Sequence, residues 1–279
     1  MARSRPKFEP AKGDAEAAKP TRFSDAGGLK VWAQTTKLEI NSSGCLCIYL
    51  DEELVMVDEE GFWGNFTLFL KVRWFNFKDL IKTVCCFWLP HPLFGLADCM
   101  LLLSYFFKSP YRLVREFTKG QEPYGETPLV VMKRLAKRLP IGSSDVVYEL
   151  GSGRGRVCLW LAMVIGCKTV GIEQVPTFVQ KSARIARLFG VKNVQFIEAD
   201  MLQQDLQAAS VIYLFGTALP DEEIARFVTL CKNVRPGTKI VTVSYALTEY
   251  SAEGIVTLVD TLQVPFSWGT TEVYVHRVV

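Results

Sequence analysis

Three glycines and three acids carry the chemistry that this sequence suggests. Gly151, Gly153 and Gly155 alternate in the run Glu149-Leu-Gly-Ser-Gly-Arg-Gly. The run follows a short apolar segment, Asp145 to Leu150, and opens a stretch with helical spacing, Arg156 to Ile165. A nucleotide cradle requires this strand, loop and helix order. Gly151 permits the tight turn, Gly153 removes a side chain where a ligand approaches the backbone, and Gly155 lets the helix pack closely. With Ser152 between them, they are candidate cofactor contacts. The G-x-G-x-G spacing departs from the pyrophosphate fingerprint, G-x-G-x-x-G. Glu149 stands two residues before the first glycine. A carboxylate there repels a pyrophosphate but suits a ligand bearing an ammonium and a sulfonium. Glu173 follows about 20 residues later, where an acid accepts hydrogen bonds from ribose hydroxyls. Asp200 ends a third strand and is placed to receive an adenine amine, with Met201 packing on the ring. Singly, each acid reads as an ordinary strand-end carboxylate. Together they stand at the carboxyl ends of consecutive strands, the edge where open α/β sheets bind ligands. Arg154 and Arg156 read as solvent-facing residues at a helix start.

The elements that must position these residues are legible from Tyr124 onward. Strands are expected at Asp145–Leu150, Lys168–Glu173, Asn193–Ala199, Ser210–Phe215 and Lys239–Tyr245. Helical spacing separates them: Val157, Trp160, Leu161 and Val164 share one face, and Pro176 opens a second helix. Asp221 reads as the cap of a helix over Glu222–Cys231. This order predicts a parallel sheet covered by helices on both sides. Ile255–Pro265 and Thr271–Val279 have no helix between them and read as a terminal antiparallel hairpin.

The N-terminal portion is less informative. Residues 1–28 are rich in Ala, Lys, Arg, Pro, Asp and Glu, and read as a disordered tail. Residues 29–78 hold short β-branched and aromatic runs, including Thr67 to Phe75, and suggest a small antiparallel sheet. Residues 79–120 form an apolar helical region. A membrane span needs about 20 mostly apolar residues. Lys82, Pro90-His-Pro92 and Asp98 interrupt this one. Helices packed in the core or lying on a membrane face fit better. Trp88, Tyr105, Phe106, Phe107 and Lys108 would suit a headgroup boundary, so peripheral membrane contact through 80–107 is an open alternative. Residues 121–279 form the last domain.

The net charge of +3 does not call for a nucleic-acid partner. Eight cysteines and two histidines, His91 and His276, lack zinc-type spacing, so no metal is expected. No apolar signal core is seen in the first 30 residues. Reduced thiols in the cytoplasm, with or without membrane association, are the expected setting.

Residues 124–279 resemble the class I S-adenosylmethionine-dependent methyltransferases. Within that class the pattern is similar to the non-SET, disruptor-of-telomeric-silencing-like histone lysine methyltransferases. The resemblance rests on Tyr124-Gly-Glu-Thr127, the glycine run, Gly171-Ile-Glu173, Glu198-Ala-Asp-Met201, Ser210-Val-Ile-Tyr213, Arg235 to Val241, and Phe266 through His276. It implies a Rossmann-like α/β fold with a seven-stranded methyltransferase sheet and terminal antiparallel hairpin. It also implies S-adenosyl-L-methionine as cofactor. The Tyr124 loop would close over the cofactor, making Glu126 and Thr127 contacts beside Glu149, Gly151, Glu173 and Asp200. The family has asparagine at the end of the fourth strand, where this chain has Phe215-Gly-Thr217.

An amine acceptor must arrive neutral. Tyr124, Tyr213, Phe215, Trp268 and Tyr274 are candidates for an aromatic channel that desolvates an ammonium. Tyr213 and Tyr274 fit strand packing equally well. A protein acceptor, with lysine one candidate, leads. A small molecule, lipid or RNA acceptor is second, and a nicotinamide-dependent oxidoreductase is third.

Overall fold

Alternating β-branched runs and amphipathic stretches build a seven-stranded mixed sheet in the computed structural model. Across the sheet the strands run in the order Val256–Phe266, Gly269–Val278, Lys239–Val243, Val211–Leu214, Val146–Leu150, Lys168–Glu173 and Val194–Glu198. The structure describes residues 31–33, 36–40, 46–50, 53–56, 70, 73–119, 124–217, 219–250, 254–266 and 269–279. The expected tail, 1–28, and Trp268 lie outside them. The chain divides into two units, Met1–Phe62 and Trp63–Val279.

The first unit contains a four-stranded antiparallel sheet: β1 (Val31–Ala33), β2 (Thr36–Ile40), β3 (Leu46–Leu50) and β4 (Glu53–Met56). The second begins with helix α1 over residues 73–83. The expectation of a strand over Thr67 to Phe75 therefore fails from residue 73. Alternation there is broken by the adjacent Trp74 and Phe75, and the following apolar run carries the helix on. A π-helical stretch, Val84–Trp88, ends this helix. Next come α2 (Pro92–Leu103), α3 (Pro110–Phe117) and α4 (Leu129–Arg138). Gly95 lets α2 cross the preceding helix closely, since a Cβ there would lie 2.8 Å from Trp88 Cβ. Among the described residues no helix is long and apolar enough to cross a membrane.

The main sheet has β5 (Val146–Leu150), β6 (Lys168–Glu173), β7 (Val194–Glu198), β8 (Val211–Leu214) and β9 (Lys239–Val243), all parallel. Helices α5 (Arg156–Trp160), α6 (Pro176–Leu188) and α7 (Asp221–Leu230) connect several of them. Asp221 is not the cap of α7. Pro220 holds the cap position without a side-chain bond, and the Asp221 carboxylate accepts from Tyr250 Oη at 3.0 Å. The hairpin is as expected: β10 (Val256–Phe266) and β11 (Gly269–Val278) pair antiparallel, and β11 pairs antiparallel with β9.

Strand alternation sorts the interior into two cores. Val147, Val211, Tyr213, Val241 and Val243 face α4, α5 and α6, and α2 packs over α5 and α6 as an outer layer. Leu150, Ile212, Leu214 and Ile240 face α7 with Ile224, Phe227 and Val228. The carboxyl ends of five parallel strands are thereby left along one edge.

Candidate functional site

A cleft of about 750 Å³ opens along that edge. Sites for small molecules and cofactors commonly fall between 300 and 1,000 Å³, roughly. Gly151, Gly153, Glu173, Asp200, Met201 and Phe215 line it, joined by Tyr124 and Gly125 from the preceding loop. Val114 and Phe117 of α3 and Ser244 after β9 complete parts of the wall.

The glycine loop is built as the sequence demands. Gly151, Gly153 and Gly155 have φ of +72°, +50° and +70°, a region costly for other residues. A Cβ on Gly155 would lie 2.4 Å from the Phe196 ring and 2.9 Å from Ser182 Oγ. Glycine there allows α5 to lie against the sheet. Gly151 N and Ser152 N donate to Ile172 O at 2.9 and 3.0 Å, tying the turn to β6. Glu173 at the end of β6 accepts from Gly153 N at 2.7 Å and Val175 N at 2.9 Å. It fixes the loop and faces the cleft. Asp200 accepts from Leu202 N and Gln203 Nε2, both at 2.9 Å, and caps a short turn that presents Met201.

Several expected contacts stand elsewhere. Glu149 does not line the cleft. It is buried and accepts from Cys158 Sγ of α5 at 2.9 Å. Burial, with Glu126 and Glu173 adding to it, pushes its carboxyl up to about 8. It is therefore mostly neutral at pH 7, rather than the negative charge expected to meet a cationic ligand. The period-2 register explains this, because Glu149 shares its sheet face with Val147, toward α5. Ser152 is also buried, and its Oγ packs over Gly171, 2.8 Å from where a Cβ would stand. Thr127 is buried with its hydroxyl 2.6 Å from Tyr213 Oη, so it pins the Tyr124 loop to β8.

Glu126 is held by Arg154 through two nitrogens and by Tyr124 Oη. Burial alone would raise the Glu126 carboxyl, but the Arg154 guanidinium outweighs it and holds it low. Arg154 also stacks on Tyr105, 5.5 Å from the ring centre. Arg156 pairs with the fully buried Asp98 of α2 at 2.8 Å. The two arginines are thus largely covered, paired anchors rather than solvent-facing. Spacing could not reveal this, since their partners are distant in sequence.

Of the aromatic candidates, Tyr124 and Phe215 line the cleft. Tyr124 lies over Gly153, and Phe215 lies over Gly125, whose missing Cβ would be 2.8 Å from the ring. Tyr213 is engaged by Thr127. Tyr274 is away from the cleft: its hydroxyl donates to Glu272 at 2.5 Å and its ring stacks on His276. It serves β11 and does not extend the aromatic wall. Ser244, which sequence reading missed, takes a left-handed backbone with φ +74° and donates its N–H to Glu272 O at 2.9 Å. No signal in its neighbours marks it. Among the described residues no cluster of His, Cys, Asp and Glu could hold a metal.

The residues present fit an adenosyl cofactor. Glu173 and Asp200 stand at successive strand ends, Met201 offers an apolar side chain, and Gly151 and Gly153 bare their backbone to the cleft. Residues 149–253 match the family model for the ANTKMT methyltransferase domain. A protein-lysine N-methyltransferase of Saccharolobus islandicus (strain REY15A) is 24% identical over 140 residues, covering 50% of this chain and 86% of that one. A histone-lysine N-methyltransferase of Caenorhabditis elegans, H3 lysine-79 specific, is 36% identical over 137 residues, covering 43% of this chain but 14% of its own. An RNA methyltransferase from Salinibacter ruber, solved with S-adenosyl-L-homocysteine, aligns at 27% identity and TM-score 0.45 over 55% of this chain and 94% of that one. The seven-stranded domain is a class I S-adenosylmethionine-dependent methyltransferase, and S-adenosylmethionine is its cofactor.

Proposed function

We propose that this methyltransferase acts on a protein, with a lysine amine as the methyl acceptor. The observation that carries the reading is the Saccharolobus islandicus relative named as a protein-lysine N-methyltransferase, most of whose length this chain spans. Bound at the glycine loop, S-adenosylmethionine supplies an already activated methyl on its sulfonium. The protein's task is then alignment and exclusion of water. Glu173 and Asp200 orient the adenosyl end. Tyr124 and Phe215 wall the cleft with apolar surface, which favours the neutral amine over the ammonium. Phe215 stands where the resembling histone methyltransferases carry asparagine, so histone itself is not the favoured acceptor.

The acceptor is expected to be met at a membrane surface. Among the described residues, the large exposed hydrophobic side chains concentrate between Leu70 and Phe117, and only Leu188, Leu258, Val259 and Val279 lie elsewhere. Phe107 is 96% exposed and Leu93 70%. Such a surface suits the boundary of a bilayer. Phe117 belongs both to this surface and to the cleft wall. The decisive experiment transfers labelled methyl groups from S-adenosylmethionine into a lysate, followed by mass spectrometry of the product. Label lost on protease digestion and found on lysine is the expected outcome. Label that survives protease and is lost with nuclease, or that extracts with lipid, refutes the protein acceptor.

A further inference from the structure

Asp98 is the only charged residue in α2, a helix otherwise made almost wholly of apolar side chains. It is also completely buried, where a carboxylate persists only if paired and hydrogen-bonded. Its partner is Arg156, whose Nε stands 2.8 Å from Oδ1 and 3.0 Å from Oδ2, and whose Nη2 stands 2.9 Å from Oδ2. Trp88 Nε1 donates to Oδ2 at 2.9 Å, and Arg156 Nη2 reaches Thr83 Oγ1 at 3.5 Å. A forked guanidinium–carboxylate pair of this kind fixes direction as well as distance.

The position of Arg156 gives the pair its meaning. It is the first residue of α5 and directly follows Gly155, which closes the glycine loop in a left-handed conformation. On the other side of Gly155, Arg154 holds Glu126 of the Tyr124 loop. The loop that bares Gly151 and Gly153 to the cleft is therefore gripped from two sides by segments that precede the sheet in sequence. We propose that Asp98 is a positioning residue for the cofactor: through Arg156 it fixes the start of α5 and with it the glycine loop. The apolar helices are then part of the S-adenosylmethionine site, although Asp98 is not among the residues lining the cleft.

The test measures S-adenosylhomocysteine binding by calorimetry, at a temperature where circular dichroism shows each variant folded. Under those conditions a role in stability alone leaves the dissociation constant unmoved. Asp98→Asn removes the charge while keeping the shape, and is expected to weaken binding about tenfold. Arg156→Lys keeps the charge but loses the fork, and is expected to weaken it less. If Asp98 acts through Arg156, the double variant Asp98→Asn, Arg156→Gln binds no more weakly than Arg156→Gln alone. Folded Asp98→Asn with affinity within twofold of the wild type overturns the proposal, as do two effects that simply multiply. Were Asp98→Asn not to fold, Trp88→Phe removes one hydrogen bond from the same carboxylate. A two- to fivefold weakening is expected there, and none overturns the proposal. Wild-type protein that does not bind S-adenosylhomocysteine overturns the cofactor assignment and this inference together.

Discussion

The two faces of the sheet are covered by helices made for different surroundings. On one face α7 buries Ile224, Phe227 and Val228 and turns Asp221, Glu222 and Arg226 outward. It contributes none of the large exposed hydrophobic side chains. On the other face α5 and α6 cover the sheet and α2 covers them, and α2 is apolar on both sides. Phe94, Ala97 and Leu101 point inward, while Leu93, Leu96 and Leu103 are exposed. A single layer facing water needs one apolar stripe. The second apolar side of α2 is the surface proposed above to meet a membrane. The cover that looks like an accessory is also the one that anchors the glycine loop.

That contrast can be broken by experiment. The largest effect is expected outside the cleft. Replacing Leu93, Leu96, Leu103 and Phe107 together by Ser should reduce sedimentation with anionic lipid vesicles by a hundredfold or more, roughly, at about 1.5–3 kcal/mol per large side chain removed from apolar contact. Stability should change little, because these side chains are exposed. Retained sedimentation would remove the membrane reading. Next, Glu173→Ala should weaken S-adenosylhomocysteine binding at least tenfold, roughly, by calorimetry, since its carboxylate both faces the cleft and holds Gly153 N. Unchanged affinity would take Glu173 out of the site.

A third pair of effects compares the groups buried under each cover. Glu149, under α5, has its carboxyl raised by burial from 4.5 to about 8. The native state keeps a proton that the unfolded chain gives up, so this group's contribution to stability is full below pH 4.5 and is lost as pH rises through about 8. His276, on the α7 side, accepts from Leu247 N at 3.0 Å and is lowered by burial from 6.5 to about 4. Its contribution is full above pH 6.5 and is lost as pH falls through about 4. Urea titrations across pH should show Glu149→Gln flattening the alkaline fall and His276→Gln flattening the acid one. Identical pH profiles for the two variants would mean that neither face holds the titrating group assigned to it.

Much of this architecture was readable before any coordinates. The parallel strands from β5 to β9 and the terminal hairpin follow from apolar runs of the right length and from glycine, proline and aspartate between them. Gly151, Gly153, Glu173, Asp200 and Met201, which line one cleft, stand out in the sequence because a strand end followed by a turn is a local pattern. What could not be read was pairing at a distance. Arg154 and Arg156 look like surface residues until Glu126 and Asp98 are brought to them. Glu149 looked like a ligand because its register, which turns it toward Cys158, is a property of the whole sheet. Tyr274 was a candidate for its ring although it lay in an expected strand, and the structure places it in β11, with its hydroxyl on Glu272 and its ring on His276. In α1, the short aromatic run read as a strand, yet residues 73–83 are helical.

Ser244 carries a consequence for anyone who sets out to improve this protein. A side chain in the left-handed region costs roughly 1–2 kcal/mol, which glycine does not incur. A library selected for survival at elevated temperature should therefore enrich Ser244→Gly. A library selected for turnover should keep the serine, because Ser244 is one of the residues that line the cleft. Opposite enrichment at one position in two selections would identify a place where evolution kept tension in the main chain for the sake of the chemistry beside it.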